Sequence, residues 1–209
     1  MPDTIKYITA SCSIFQGIVR KTNTFLFGNK QAGLQDFLLS VYRHFKIDYP
    51  KFHKMDNLSK LGLLATEILL EGNFVKGKYQ LENTGIVFSN ANASLDADRN
   101  YWQSVKNIPS PALFVYTLPN IVIGEICIRN GFKGENAFFI QEHFDPSFLH
   151  FYVNDLMDKH KLELVICGWI DVLGEDYKTV LYLVENEKQD NPVPFTIDNI
   201  NNIYELANG

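Results

Sequence analysis

The residue best suited to chemistry is His143, which has acidic neighbours on both sides, Glu142 and Asp145. A helix is predicted to begin at Pro146, and the dipole at a helix N-terminus disfavours a protonated histidine, leaving a neutral imidazole suited to act as a base. Glu142 or Asp145 could orient the ring, and Ser147 is close in sequence. Because triads are defined by geometry, a catalytic His143 and a purely structural one both stay open.

The other candidate ligands show no metal-binding spacing. Each of the three cysteines, Cys12, Cys127 and Cys167, lies in a mostly apolar stretch, which predicts small buried side chains in a reducing compartment. The remaining histidines are scattered along the chain: His44, His53, His150 and His160. We therefore expect no metal site, no disulfide framework and no cofactor.

Composition limits the classes of partner. The 209 residues fit one domain, with or without a small appendage, and 46% of them are apolar, enough for a substantial core. A net charge of −5 argues against general nucleic-acid binding and gives no electrostatic attraction to an anionic membrane. Because we find neither a signal peptide nor a long apolar segment, we expect a cytoplasmic protein with no membrane partner.

The elements that must position His143 follow from alternating strand-like and helix-like blocks. Strands are predicted at residues 5–13, 17–27, 84–89, 136–141, 162–167 and 179–184. Helices are predicted at residues 35–45, 57–70, 94–105, 120–130, 146–160 and, in the C-terminal tail, 198–206. This alternation is typical of an α/β protein with a layered sheet.

Capping residues sharpen several helix ends. Asp56 or Asn57 is suited to cap the second helix, and Gly72 to stop it. Asp145 is suited to cap the helix that begins at Pro146. For the helix at residues 120–130, Pro119 fits the first turn and Gly131 the C-terminal cap.

Five ordered blocks, at residues 54–67, 84–89, 118–134, 163–171 and 180–185, resemble the amino-terminal half of a β-ketoacyl synthase, a member of the thiolase superfamily. The block at residues 118–134 is the most specific, with a Pro-Asn start, spaced glycines and a Phe-Lys-Gly exit. We expect Gly124 to allow close helix packing, and Gly131 and Gly134 to allow positive φ and a tight turn. The motif residues that the resemblance assigns to the fold are Asn120, Gly124, Gly131, Gly134 and Gly168.

The resemblance implies a thiolase-like α/β fold in a single half, with a mixed sheet of about five strands covered by helices. Residues 1–185 would form the synthase N-terminal-like domain, and residues 186–209 a C-terminal tail with a short helix.

The main departure from the family lies at His143, which occupies the position of the nucleophilic cysteine. Phe144 and Pro146 follow where the family has small residues, and they would fill space that an acyl chain needs. The family also takes a catalytic histidine and lysine from a carboxyl-terminal half that this sequence does not contain. We therefore expect a chain that is not a competent condensing enzyme alone.

The predicted surfaces indicate a partner. The helix at residues 146–160 carries apolar side chains around more than one stripe, which predicts burial on more than one side. In the family, the strand that matches residues 137–140 pairs with its counterpart across a dimer axis. An apolar edge strand must be paired or covered to avoid unwanted strand addition. We expect a homodimer or a heterodimer with a full-length ketosynthase, with acyl carrier protein as a further partner, through an interface containing Phe138, Phe139, Phe148, Phe151 and Tyr152. The alternative is a monomer covered by its own tail, through Phe195, Ile197, Ile200, Ile203 and Tyr204.

These expectations favour a catalytically degenerate accessory protein of fatty-acid-like or polyketide-like biosynthesis. One alternative is an acyl-thioester hydrolase that uses His143 with Asp145 or Glu142. Another is a structural dimer without a ligand, which would be favoured if Phe144 and Phe148 filled the space beside His143.

Overall fold

The protein is built on one mixed β-sheet, as seen in a computed structural model that describes residues 5–75, 77–106, 108–186 and 193–207. Seven strands follow the order β3-β2-β1-β7-β6-β4-β5, and a short β8 pairs with the start of β1. The strands are β1 (Tyr7–Phe15), β2 (Ile18–Lys21), β3 (Thr24–Gly28), β4 (Thr84–Asn90), β5 (Asn136–Ile140), β6 (Leu164–Leu173), β7 (Asp176–Glu185) and β8 (Val193–Pro194).

The sheet confirms the predicted α/β class but has more strands than the five expected. The segment at residues 17–27 forms two strands, because Thr22 and Asn23 adopt left-handed φ values of 44° and 63° and turn β2 back into β3. β4 pairs in parallel with both β5 and β6, whereas β6, β7, β1 and β2 pair antiparallel. β5 and β3 are therefore the two edges of the sheet.

Helices cover both faces of the sheet. They are α1 (Leu34–His44), α2 (Asn57–Leu70), α3 (Leu95–Val105), α4 (Pro111–Phe114), α5 (Ile121–Asn130), α6 (Pro146–His160) and α7 (Ile197–Leu206). In β7, Leu181 and Leu183 face a core shared with α1, α2 and α5, whereas Val180, Tyr182 and Val184 face a second core shared with α6 and α7. The period of two along the strand assigns alternate side chains to the two layers.

The predicted caps Asp56, Asp145 and Gly131 are in place, whereas Pro119 lies outside its helix. The Asp56 side chain accepts a hydrogen bond from Ser59 N–H at 3.0 Å, and α2 has the predicted bounds. α5 begins at Ile121 with Asn120 as its N-cap, so Pro119 precedes the first turn and does not belong to it. The four-residue α4 was not predicted, because a single turn leaves no helical period to detect.

Within this chain α6 is buried along one stripe, and its burial on a further side by a partner stays a prediction. Its buried side chains, Leu149, Val153, Leu156 and Met157, follow one stripe. Phe151, on another side of the helix, is 66% exposed.

The motif glycines differ in what they do. Gly131 has the predicted left-handed conformation, φ 77°, at the end of α5. Gly134 is a close-approach position, since a Cβ there would lie 2.4 Å from the Thr84 carbonyl oxygen, and its φ is not positive. Gly168 lies inside β6 with φ 144°, and a Cβ built on it would lie 2.1 Å from the Val180 carbonyl oxygen.

The close helix packing expected at Gly124 is not found there. Gly124 is exposed, and a Cβ built on it would meet no atom within 4 Å. The close approach of α2 and α5 occurs at Gly62, where a Cβ would lie 2.4 Å from Val122 Cγ2. Within the described part of the chain, no helix is long and apolar enough to cross a membrane.

Candidate functional site

The candidate site lies at the junction between β5 and α6. Gln141 N–H donates to the Asn90 carbonyl at 2.9 Å, which extends the pairing of β5 with β4 beyond Ile140. Asp145 is the N-cap of α6, and its Oδ1 accepts hydrogen bonds from Ser147 N–H and Phe148 N–H, each at 2.9 Å. The carboxylate of Asp145 therefore satisfies two amides that the first turn leaves without a helical partner.

His143 lies two residues before this cap, and both His143 and Glu142 are exposed. Among the described residues, no hydrogen bond or ion pair joins His143 to Glu142 or to Asp145. The sequence neighbours suggested as orienting groups are thus not arranged as a triad in this conformation. A catalytic role for His143 stays a prediction.

Phe144, which follows His143, packs in the second core. Its side chain is only 8% exposed, and its ring stacks on Tyr204 with centroids 4.2 Å apart. It also contacts Trp169 at 6.2 Å and Tyr182 at 6.4 Å between centroids. The second core is therefore closed by aromatic packing at the residue that follows His143.

The aromatic cluster around Phe144 is fixed by α7. Tyr182 Oη donates to the Ile200 carbonyl at 2.9 Å, which holds the helix on the sheet. Burial raises the pKa of Tyr204 to about 12, so this phenol stays neutral at physiological pH. The Lys178 ammonium lies 3.4 Å from the Tyr204 ring centroid, and burial lowers the pKa of Lys178 to about 8.

Three of the five predicted interface residues form one cluster. Phe139 contacts Phe148 and Tyr152 with edge-on rings, both at 4.8 Å between centroids. Phe138 points to the opposite face of β5 and packs on the first core. Phe151 lies elsewhere on α6, beside a groove of about 490 Å³ that it shares with Phe195.

The sequence did not identify the cluster around Phe144, although part of the signal is present. Trp169 on β6 and Tyr182 on β7 face the same layer. The alternation of side chains along each strand predicts this. The contact with Tyr204 depends on where α7 docks, and no local pattern encodes that. Across the described residues, no group of three or more His, Cys, Asp or Glu side chains is arranged to hold a metal ion.

No protein-family model matches the sequence, and no curated protein matches it. Solved structures do match the fold. The ishigamide ketosynthase/chain length factor aligns with a TM-score of 0.65 and 16% identity, over 91% of this chain and 64% of that one. A ketosynthase bound to a hexaketide, in complex with its type II polyketide synthase acyl carrier protein, aligns with a TM-score of 0.61 and 13% identity, over 88% of this chain and 63% of that one.

A third structure is similar over nearly the whole of both chains. It is a ketosynthase in complex with its chain length factor from Xenorhabdus doucetiae, and it aligns with a TM-score of 0.58 and 14% identity over 98% of this chain and 92% of that one. The chain spans less than two thirds of the first two structures but nearly all of the third. Identities this low show the fold alone. The chain therefore has a thiolase-like fold of the ketosynthase type, in a single half.

Proposed function

We propose that this chain is an accessory subunit of a ketosynthase, one that shapes a condensing enzyme without carrying out condensation itself. The observation that carries the proposal is the junction after β5. There His143 is exposed at the position that the resemblance assigns to the nucleophilic cysteine, and the ring of the next residue, Phe144, is buried in the second core. Condensation needs a thiolate to hold the acyl group and room for the acyl chain.

The coverage of one structural neighbour supports the same role. The match that covers 98% of this chain and 92% of its counterpart is to a chain in a ketosynthase–chain length factor complex. A component of similar size therefore exists within such an assembly. By analogy, the substrate class is a growing acyl chain of a polyketide-like or fatty-acid-like pathway, delivered to the complex by acyl carrier protein.

The open edge of β5 provides the surface for pairing. β5 is hydrogen-bonded to β4 on one side and ends the sheet on the other. Next to it lies the half-buried ring cluster of Phe139, Phe148 and Tyr152. An apolar edge with adjoining aromatic rings suits strand-to-strand pairing with a partner of the same fold. Pairing with a full-length ketosynthase is the proposed state. A structural homodimer without a ligand is the alternative: the buried Phe144 fits it equally well, whereas Phe148 packs on Phe139 and Tyr152.

Reconstitution tests this function. The chain would be co-expressed with a ketosynthase encoded beside it, and the molar mass of the purified material measured by light scattering. Condensation of a malonyl-type donor on acyl carrier protein would then be assayed for each component and for the pair. We expect a one-to-one complex, activity of the pair and no activity of this chain alone, either as wild type or as His143→Cys.

Failure of the two proteins to associate at micromolar concentrations would contradict the proposal, as would condensation by this chain alone. Hydrolysis of acyl thioesters by the wild type that His143→Ala abolishes would instead support the hydrolase.

A further inference from the structure

A small pocket lies between α7 and the β1–β2 hairpin, away from the β5–α6 junction. Its volume is about 170 Å³, and its apolar wall comes from Val180, Ile203 and Leu206. An engineered apolar cavity of about 150 Å³ is known to accept benzene, so a pocket of this size suits an apolar body of about six carbons. Pockets for drug-sized ligands are larger, at roughly 300 Å³ and above.

Arg20 contributes a positive charge to this otherwise uncharged lining. It pairs across β1 and β2 with Ser13, so the two side chains lie on the same face of the hairpin, and Ser11 lines the same pocket. Among the described residues, no side chain or carbonyl forms a hydrogen bond or ion pair with the Arg20 guanidinium, although the side chain is half-buried. A half-buried guanidinium of this kind retains its donors for an anionic ligand.

The walls of the pocket are held in place by contacts outside it. Thr22 N–H donates to the Ser11 carbonyl at 2.8 Å, which fixes the β1–β2 hairpin on one side of the pocket. The hydrogen bond from Tyr182 to the Ile200 carbonyl fixes α7 on the other side of the pocket. At the start of this helix, Asn199 N–H donates to Thr196 Oγ1 at 3.3 Å. A site formed before binding loses less entropy on binding than one that must first become ordered.

We infer that this pocket binds a small monocarboxylate with an apolar body of about six carbons. The carboxylate pairs with Arg20 and accepts hydrogen bonds from Ser11 or Ser13, and the apolar body lies against Val180 and Ile203. Arg is suited to this role because its planar donors match the two oxygens of a carboxylate. The inference is independent of the proposed function, since neither the β5 edge nor Phe144 takes part.

Calorimetric titration with hexanoate tests the inference. Hexanamide serves as the neutral analogue of the same length. We expect hexanoate to bind the wild type, and hexanamide to bind at least about tenfold more weakly, because it lacks the charge that pairs with the guanidinium. Arg20→Gln should weaken hexanoate to the level of hexanamide, and Arg20→Lys should retain part of the difference.

Arg43→Gln is the matched control, because Arg43 is exposed and lies at the end of α1 on the opposite layer. It should leave hexanoate binding unchanged, and all three variants should show the wild-type melting temperature. Equal binding of hexanoate and hexanamide, no binding of either, or equal losses in Arg20→Gln and Arg43→Gln would each overturn the inference. The distinction between Gln and Lys at position 20 separates a loss of charge from a loss of packing.

Discussion

Phe144 determines what the β5–α6 junction can hold. Burial of an aromatic side chain contributes about 1.5–3 kcal/mol, and each well-placed ring pair adds about 0.5–1.5 kcal/mol. Phe144 has both contributions, through its contacts with Tyr204, Trp169 and Tyr182. A ligand could enter this space only by displacing the ring, so the packing opposes ligand binding there.

Replacing Phe144 tests how strongly the ring is held. Phe144→Ala should lower the free energy of unfolding by about 3 kcal/mol, because it removes a buried ring and leaves a cavity against Trp169. Urea unfolding followed by circular dichroism measures the change. Phe151→Ala is the control and should change stability by less than about 0.5 kcal/mol, since that ring is 66% exposed. Equal effects of the two substitutions would show that the stack around Phe144 contributes little.

At the scale of elements, the sequence predicted those features that local rules specify. α2 and α6 have the expected bounds because an aspartate caps each one and apolar residues repeat along it. Prediction failed at the β2–β3 turn, where no local sequence signal marks the change of direction. The turn at Thr22–Asn23 lacks glycine, so the sequence pattern predicts β2 and β3 as one strand.

The cap of α6 allows the two roles suggested for Asp145 to be separated. Asp145→Ala should cost about 1 kcal/mol of stability, because two amides at the start of α6 lose their acceptor, whereas Asp145→Asn should cost little, since its amide oxygen still caps. Thermal unfolding at neutral pH measures both. If Asp145 instead acts by orienting His143 through its charge, any acyl-thioester hydrolysis would fall equally in both variants while the stability of Asp145→Asn stayed high. Glu142→Ala is the control for the stability measurement alone, because Glu142 is exposed and is itself a candidate partner of His143.

At the scale of the whole molecule, the C-terminal tail packs on the sheet, whereas β5 stays an edge strand among the described residues. Phe195 and Ile200 are buried, Ile203 and Tyr204 pack on the second core, and Ile197 stays 42% exposed, so most of the predicted tail contacts form. β8 lies on β1, four positions along the sheet from β5. The tail therefore covers the face that α6 leaves, without pairing with the β5 edge. Sequence patterns could not supply this arrangement, because docking of α7 depends on contacts between distant parts of the chain.

The two edges of the sheet offer a paired test of association. Ile140 ends β5 and is 53% exposed, and Phe25 on β3 at the opposite edge is 60% exposed. Ile140→Lys should abolish pairing with a ketosynthase or a second copy, because a lysine on an edge strand opposes strand addition and buries a charge in the interface. Phe25→Lys should leave association intact, since β3 lies six strands away from β5. Sedimentation velocity at micromolar concentration measures both variants. Retained association in Ile140→Lys, or its loss in Phe25→Lys, would place the interface elsewhere than β5.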